Sequence, residues 1–195
     1  MSQNLEASFD EPSHSLLEEA VSPRPSRAQL AQDFEALIER EGAALARVAA
    51  AYEADPGRRE DLFQEICLAI WRALPSFRGE ASARTYVFRI AHNRGLSAAA
   101  RRRALAVDLD QAPEPADLRP GPEERLSDRE RQERLLAAVR RLPLALRQPL
   151  VLTLEGLAQR EVAEIIGITE TNVAVRLFRA RKALRRSLGV TEEAS

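Results

Sequence analysis

Four prolines and six acidic residues crowd into residues 104–124, ALAVDLDQAPEPADLRPGPEE. Proline lacks the amide hydrogen that helix interiors and central strands use, and its ring fixes φ. Neither helix nor strand is expected there, so the stretch reads as an extended linker. It divides the 195-residue chain into two blocks. Ala, Leu, Arg and Glu dominate both, and aromatics make up only 5% of the residues, which favours helices. The expected fold class is all-α: two small helical domains on a flexible, Pro-rich acidic linker. The expected boundaries are an acidic disordered tail over 1–28, a first domain over 29–103, the linker over 104–124, a second domain over 125–190 and a disordered end over 191–195.

Periodicity supports three helices in the first block. From Asp33, a plausible cap, apolar residues fall at Phe34, Leu37, Ile38, Leu45, Val48, Ala49 and Tyr52, mostly three, four or seven apart. DPG at 55–57 reads as a turn. Leu62, Ile66, Ala69, Ile70 and Leu74 mark a second helix that Pro75 stops. SFRGEAS (76–82) reads as a loop. A third helix from Ser82 or Ala83 carries Tyr86, Val87, Ile90, Ala91 and Leu96 into Arg101–Arg103. Trp71 and Phe88 fit a core. In the second block, Ser127 and Glu130 resemble a capping box before one helix. A further helix, LRQPLVLTLEGL, places Pro149 in its first turn.

The net charge of −1 hides local asymmetry. Residues 29–103 carry ten acids and twelve arginines, and residues 125–195 carry nine acids and fourteen bases, whereas tail and linker are acidic. Basic faces inside a neutral chain point to a charged partner. Several function classes are disfavoured. Apolar runs are too short for a membrane span. The N-terminus lacks the basic start and apolar core of a signal peptide. A single cysteine, Cys67, builds no disulfide framework and fits a reducing, cytoplasmic setting. His14, His92 and Cys67 have no metal-ligand spacing, and no phosphate loop or nucleophile elbow occurs. No enzymatic activity, cofactor or metal is expected.

The densest motif lies at 156–183, GLAQREVAEIIGITETNVAVRLFRARKA. Val162, Ile165 and Ile166 face one side of a short helix that Gly167 stops. Ile168 plugs the turn and Thr169 caps a second helix, whose stripe runs Val173, Leu177, Ala180, Leu184 and Leu188. Two short helices around such a turn make a helix-turn-helix, whose second helix enters the major groove. Off the stripe stand Glu170, Thr171, Asn172, Val175, Arg176 and Arg179. Glu accepts from cytosine, Asn and Arg read purine edges, and Arg also grips phosphate. The first helix of the pair opens on Leu157-Ala158-Gln159, without a good cap.

Both blocks resemble the extracytoplasmic-function (ECF) class of bacterial sigma factors. In the first, DLFQEICLAIWRALPSFRGEASARTYVFRIAHNR (61–94) is similar to region 2. In the second, LPLALRQPLVLTLEGLAQREVAEIIGITETNVAVRLFRARKAL (142–184) is similar to region 4. Tyr86 stands where Trp is usual, and Ser97 where an acid is common. The resemblance implies core RNA polymerase, promoter DNA and an anti-sigma protein as partners. It implies that region 2 docks on the polymerase clamp and melts the −10 element, while region 4 reads the −35 element. Asp61, Gln64, Glu65 and Leu68 share one helical face suited to a basic polymerase surface. Base capture combines basic groups with aromatic platforms. Phe77, Arg78, Arg84, Tyr86 and Arg89 supply both around the Gly-containing loop. By the resemblance, Asn93 meets the non-template strand, and Arg101, Arg102 and Arg103 can lie along the duplex backbone. The linker acids Asp108, Asp110, Glu114 and Asp117 either mimic nucleic acid on the polymerase or form a solvated spacer. Two other readings compete: a stand-alone helix-turn-helix regulator, and an interaction protein whose arginine faces bind an acidic partner.

Overall fold

The computed structural model describes residues 26–79, 82–108 and 128–189. Residues 1–25, 109–127 and 190–195, which include His14 and most of the linker, lie outside the described residues, as does Ser127, the expected cap. Among the described residues seven α-helices follow one another: α1 Arg27–Tyr52, α2 Pro56–Ala73, α3 Ala83–Asp108, α4 Asp128–Arg141, α5 Leu144–Leu154, α6 Gln159–Ile166 and α7 Glu170–Ser187. A 3-10 turn, Leu74–Ser76, closes α2. No strand occurs among the described residues, and no helix there is long and apolar enough to cross a membrane.

Local chemistry sets the helix starts. Ser26, rather than Asp33, caps α1, its hydroxyl accepting from the Gln29 amide at 3.1 Å. Asp33 lies inside the helix and accepts from the Gln29 side chain instead. Asp55 caps α2 by accepting from the Arg58 amide, and Pro56 occupies the first helical position, where its missing N–H leaves nothing unpaired. Ser82 caps α3 through the Thr85 amide. That helix runs to Asp108, five residues into the expected linker. Ala104, Leu105 and Ala106 are strong helix formers, and the first proline comes only at Pro113. Pro149 also departs from expectation, because it sits in the interior of α5. Its ring leaves the Ala145 carbonyl without a helical donor, and Ala145 is exposed, so water can meet that carbonyl.

The first three helices form one bundle and the last four another, and a continuous apolar cluster joins them. Leu45, Val48, Ala49 and Tyr52 of α1 are fully or almost fully buried, as are Ile66 and Ile70 of α2 and Phe88 of α3. Trp71 is half-buried and sits edge-on to Phe34, with centroids 5.4 Å apart. Ala50 and Ala51, on the far side of α1, are buried too, which lets the second bundle pack closely against that helix.

The two bundles also exchange arginines at their helix ends. The last carbonyls of an α-helix have no partner within it and carry partial negative charge. Arg140 of α4 donates to the Ala50 carbonyl of α1 at 3.0 Å. In return, Arg84 of α3 donates to the Glu155 carbonyl just past the end of α5. Within the first bundle, Arg102 bonds the Tyr52 carbonyl and the Glu53 carboxylate, each at 3.1 Å.

Helices α1 and α3 cross where Tyr52 lies over Gly95. A Cβ at position 95 would stand 2.5 Å from the Tyr52 ring. Gly95→Ala gains up to about 1 kcal/mol of helix propensity. The clash with a fully buried ring outweighs it, since overpacking costs about 1–3 kcal/mol or more. The variant is expected to melt several degrees lower by circular dichroism.

Beside this crossing the Tyr52 hydroxyl and His92 Nδ1 share a hydrogen bond of 3.0 Å. Burial lowers the His92 pKa from 6.5 to about 4 and raises that of Tyr52. The unfolded imidazole therefore takes up a proton below pH 6.5, while the folded one stays neutral to about pH 4. Protons bind the unfolded chain preferentially in that window. Stability is complete above it and falls as pH drops, by about 2 kcal/mol between pH 7 and pH 5. His92→Gln keeps a polar partner for Tyr52, and denaturant midpoints at the two pH values should show this slope flattened.

Candidate nucleic-acid interface

The second bundle ends in the expected helix-turn-helix. Helix α6 closes at Gly167, whose φ of 76° lies in the left-handed region that glycine adopts freely. Thr169 then caps α7 by accepting from the Asn172 amide at 3.2 Å. Val173, Leu177 and Ala180 are buried as the spacing requires. Leu188 is not: it is 40% exposed at the cap that follows α7. Ala158 begins α6 without a capping side chain, and Glu161 supplies the missing group by accepting from the Ala158 amide at 2.8 Å.

The outward face of α7 is open. Glu170, Thr171, Asn172, Val175 and Arg179 are exposed, and Arg176 is half-buried with its Nε donating to the Asn172 side-chain oxygen at 2.9 Å. That bond aligns two candidate readers on adjacent turns. Beside Thr171 and Val175 on the outward face stands Phe178, 68% exposed, the largest apolar side chain there. Sequence reasoning passed over it because its neighbour Leu177 belongs to the buried stripe. The available signal was its register: Thr171, Val175, Phe178 and Lys182 lie four, three and four apart. With Val175 it offers the apolar contact that a thymine methyl takes.

The second candidate surface lies around the loop before α3. Phe77 and Tyr86 stack at 5.0 Å with a 37° tilt, and the Tyr86 hydroxyl donates to the Ala73 carbonyl at 3.3 Å. Arg78, Asn93, Arg101 and Arg103 are exposed. The Asn93 carbonyl accepts from Ser97 Oγ, so Ser97 bonds its own helix. Glu80, in the loop, lies outside the described residues. Four of the arginines expected at the −10 element have partners within the protein, one of them being Arg101, which meets Glu65 of α2. Arg84 meets Glu41 at 3.1 Å, the Glu155 carbonyl and the Phe88 ring face. Arg89 pairs with Glu164 of α6, and Arg102 holds the end of α1.

On α2, Asp61, Gln64, Glu65 and Leu68 are all exposed on the side opposite the buried Leu62, Ile66 and Ile70. Leu68 is 48% exposed, an apolar group among acids and an amide. Glu65 meets Arg101 at 3.1 Å, so the acidic face abuts the basic end of α3. Cys67 is half-buried nearby, and desolvation raises its thiol pKa.

Residues 37–105 match the family described as sigma-70 region 2, and residues 132–184 match sigma-70, region 4. The chain belongs to the ECF group of sigma-70 factors. It is 31% identical to the RNA polymerase sigma factor NccH of Alcaligenes xylosoxydans xylosoxydans, over 77% of this chain and 84% of that one. It is 30% identical to CnrH of Cupriavidus metallidurans, over 82% of this chain and 88% of that one. The structure of CnrH in complex with the cytosolic domain of CnrY superposes with a TM-score of 0.61, at 26% identity, over 85% of this chain and 96% of that one. The sigma factor RpoE in complex with the anti-sigma factor NepR, from Bartonella quintana, shares the fold, with a TM-score of 0.68 at 23% identity over 83% and 99% of the two chains. The all-α, two-bundle fold is thus that of a sigma factor. As such the protein directs transcription initiation from promoters, with region 2 acting at the −10 element and region 4 at the −35 element.

The cap of α7 fixes where that helix, and so its exposed outward face, begins. Thr169→Ala is expected to lower stability by about 1 kcal/mol in denaturant titration, while Thr169→Ser leaves it within a few tenths.

Proposed function

We propose that three surfaces of this sigma factor divide the work of initiation, without catalysis of its own. The exposed face of α2, Asp61, Gln64, Glu65 and Leu68, docks on a basic surface of core RNA polymerase. Its acids supply charge and Leu68 the apolar anchor. The loop before α3 captures −10 bases. Phe77, held at a fixed tilt by Tyr86, offers a stacking platform, and Arg78, Arg84, Arg89 and Asn93 meet the backbone and base edges. Arg101 and Arg103 follow the flanking duplex. Arg102, pinned inside the domain, contributes by fixing the end of α1.

In region 4, Glu170, Thr171, Asn172, Val175, Phe178 and Arg179 face the −35 major groove, and Arg176 orients Asn172. The observation that carries this reading is that one chain holds both an exposed acidic-apolar face on α2 and an exposed reading face on α7. A stand-alone regulator has no use for the first. The protein acts in the cytoplasm, where its template is, and an anti-sigma protein regulates it. CnrH and RpoE, solved with CnrY and with NepR, support that last assignment.

Run-off transcription with purified core polymerase on genomic fragments tests the reading as a whole. Promoter-dependent transcripts are expected, and strong DNA binding with no transcript would overturn it. The individual roles separate in binding assays. Arg179→Ala weakens all sites alike and reduces the salt slope by about one ion. Phe178→Ala or Asn172→Ala relaxes preference at one base pair by about 1–3 kcal/mol. Leu68→Glu should abolish transcript formation while leaving binding to duplex DNA unchanged.

A further inference from the structure

The seam between the two bundles supplies acids unevenly. Where α3 meets α6, cations and donors find carboxylates: Arg47 binds Glu155 with a closest approach of 2.6 Å, Arg89 pairs with Glu164, and Thr85 Oγ1 donates to Glu161 at 2.6 Å. Where α4 meets the end of α1, that balance is lost. Arg59 donates to the Ala54 carbonyl at 2.9 Å, Arg102 to that of Tyr52 at 3.1 Å and Arg140 to that of Ala50 at 3.0 Å. Guanidiniums from α2, α3 and α4 thus converge on backbone residues 50–54. Arg103 follows Arg102 and is exposed, and Arg147 of α5 lies buried against the Arg140 carbonyl. Among the described residues, Glu53 is the one carboxylate bonded to any of these arginines. It is already engaged by two backbone amides and by Arg102.

We propose that this arginine cluster is a binding site for a compact, multiply charged phosphate anion of the di- or triphosphate class, held between the end of α1 and helix α4. The site does not depend on the DNA roles proposed above. Like charges this close repel one another, and an anion of high charge relieves the repulsion. Arg140 and Arg147 both have lowered pKa values, first through desolvation and then through the charges of Arg59, Arg102 and Arg103. Acceptors are short as well as charge. Arg59 Nε and Arg147 Nε are buried donors with no partner among the described residues. The planar guanidinium fork matches phosphate oxygens, and linked phosphates present several such edges at once, whereas a lone carboxylate satisfies one fork. Depth selects a small ligand. Arg59, Arg102 and Arg140 are half-buried, so a broad DNA duplex meets the exposed Arg103 first. Because Arg140 comes from the second bundle, the bound anion joins the two domains and stabilises their docked arrangement.

The test is isothermal titration of the full chain with sodium tripolyphosphate at physiological salt. Saturable one-to-one binding is expected, together with a thermal midpoint that rises with ligand concentration. Amide hydrogen exchange should slow at residues 50–54 and around Arg140 when the anion is added. Arg59→Gln should weaken binding about tenfold, the value of one charge-assisted contact. Arg140→Lys keeps the charge but not the fork, and should weaken binding less. Circular dichroism confirms folding, and where Arg59 proves necessary for it, Arg103→Gln at its exposed position should give the same loss. Arg181→Gln with Lys182→Gln, on the exposed side of α7, should leave the affinity unchanged. Absence of saturable binding overturns the proposal. Binding of several ions, weakened as much by the α7 pair as by Arg59→Gln, reveals a diffuse basic surface and also overturns it. Random-sequence duplex DNA tests the other source of phosphate. Its affinity should be indifferent to Arg59→Gln, and an equal loss for duplex and tripolyphosphate assigns the cluster to nucleic acid instead. Asp110→Asn with Glu114→Gln and Asp117→Asn should not change tripolyphosphate binding. Tighter binding in that variant makes the linker acids the native anion and overturns a free ligand.

Discussion

The end of α1 is the joint on which the molecule turns. Tyr52, its last residue, lies over Gly95, bonds His92 through its hydroxyl and gives its carbonyl to Arg102. Two residues earlier, the Ala50 carbonyl takes Arg140 from the other bundle. A helix C-terminus concentrates unpaired carbonyls and negative potential, so cations gather there. Here the cations come from α3 and α4 at once. One helix end therefore sets both the crossing inside region 2 and the seat of region 4 upon it. Burial carries a cost that desolvation makes visible: Arg140 and Arg147 both have lowered pKa values. Hydrogen bonds to carbonyls offset that cost at these arginines.

Such placement divides the arginines into classes that composition cannot separate. Arg102, Arg140 and Arg147 serve the fold. Arg78, Arg103 and Arg179 face solvent. Arg47, Arg84 and Arg89 fall between, partly exposed and bonded to oxygens of the other bundle. By charge counting all nine are equivalent, and residues 29–103 appear simply basic. What distinguishes them is the nearest helix end or carboxylate, often more than forty residues away in sequence.

The same contrast explains how much of the fold could be read beforehand. The helix-turn-helix was legible because its signals are local: Gly167 needs positive φ, Thr169 caps within three residues, and Val173, Leu177 and Ala180 repeat at helical spacing. The face of α2 was legible for a similar reason, since one helix decides which side is buried. Errors gathered where two local rules compete. Asp33 is a good cap residue, yet Ser26 begins the helix about two turns earlier because the intervening residues are themselves helix formers. Pro149 suggested a first turn, but an exposed Ala145 removes most of the objection to a proline further in. The acidic linker was begun too early because proline density, averaged over the stretch, obscured the helix-forming residues before Pro113. Contacts of Glu155, Glu161 and Glu164 had no sequence signal, because each joins elements whose approach is tertiary.

A closed arrangement held by ion pairs differs in kind from one held by apolar packing. Contacts between the bundles include buried alanines on α1 and a continuous apolar cluster, so the interface has a dry component. Small residues make that component shallow: alanine buries little area, and apolar stabilisation scales with area. The charged component is of another kind, one that a competitor with its own phosphates or carboxylates can replace like for like. The outward face of α7 lies outside that contact, so the two bundles meet without covering it.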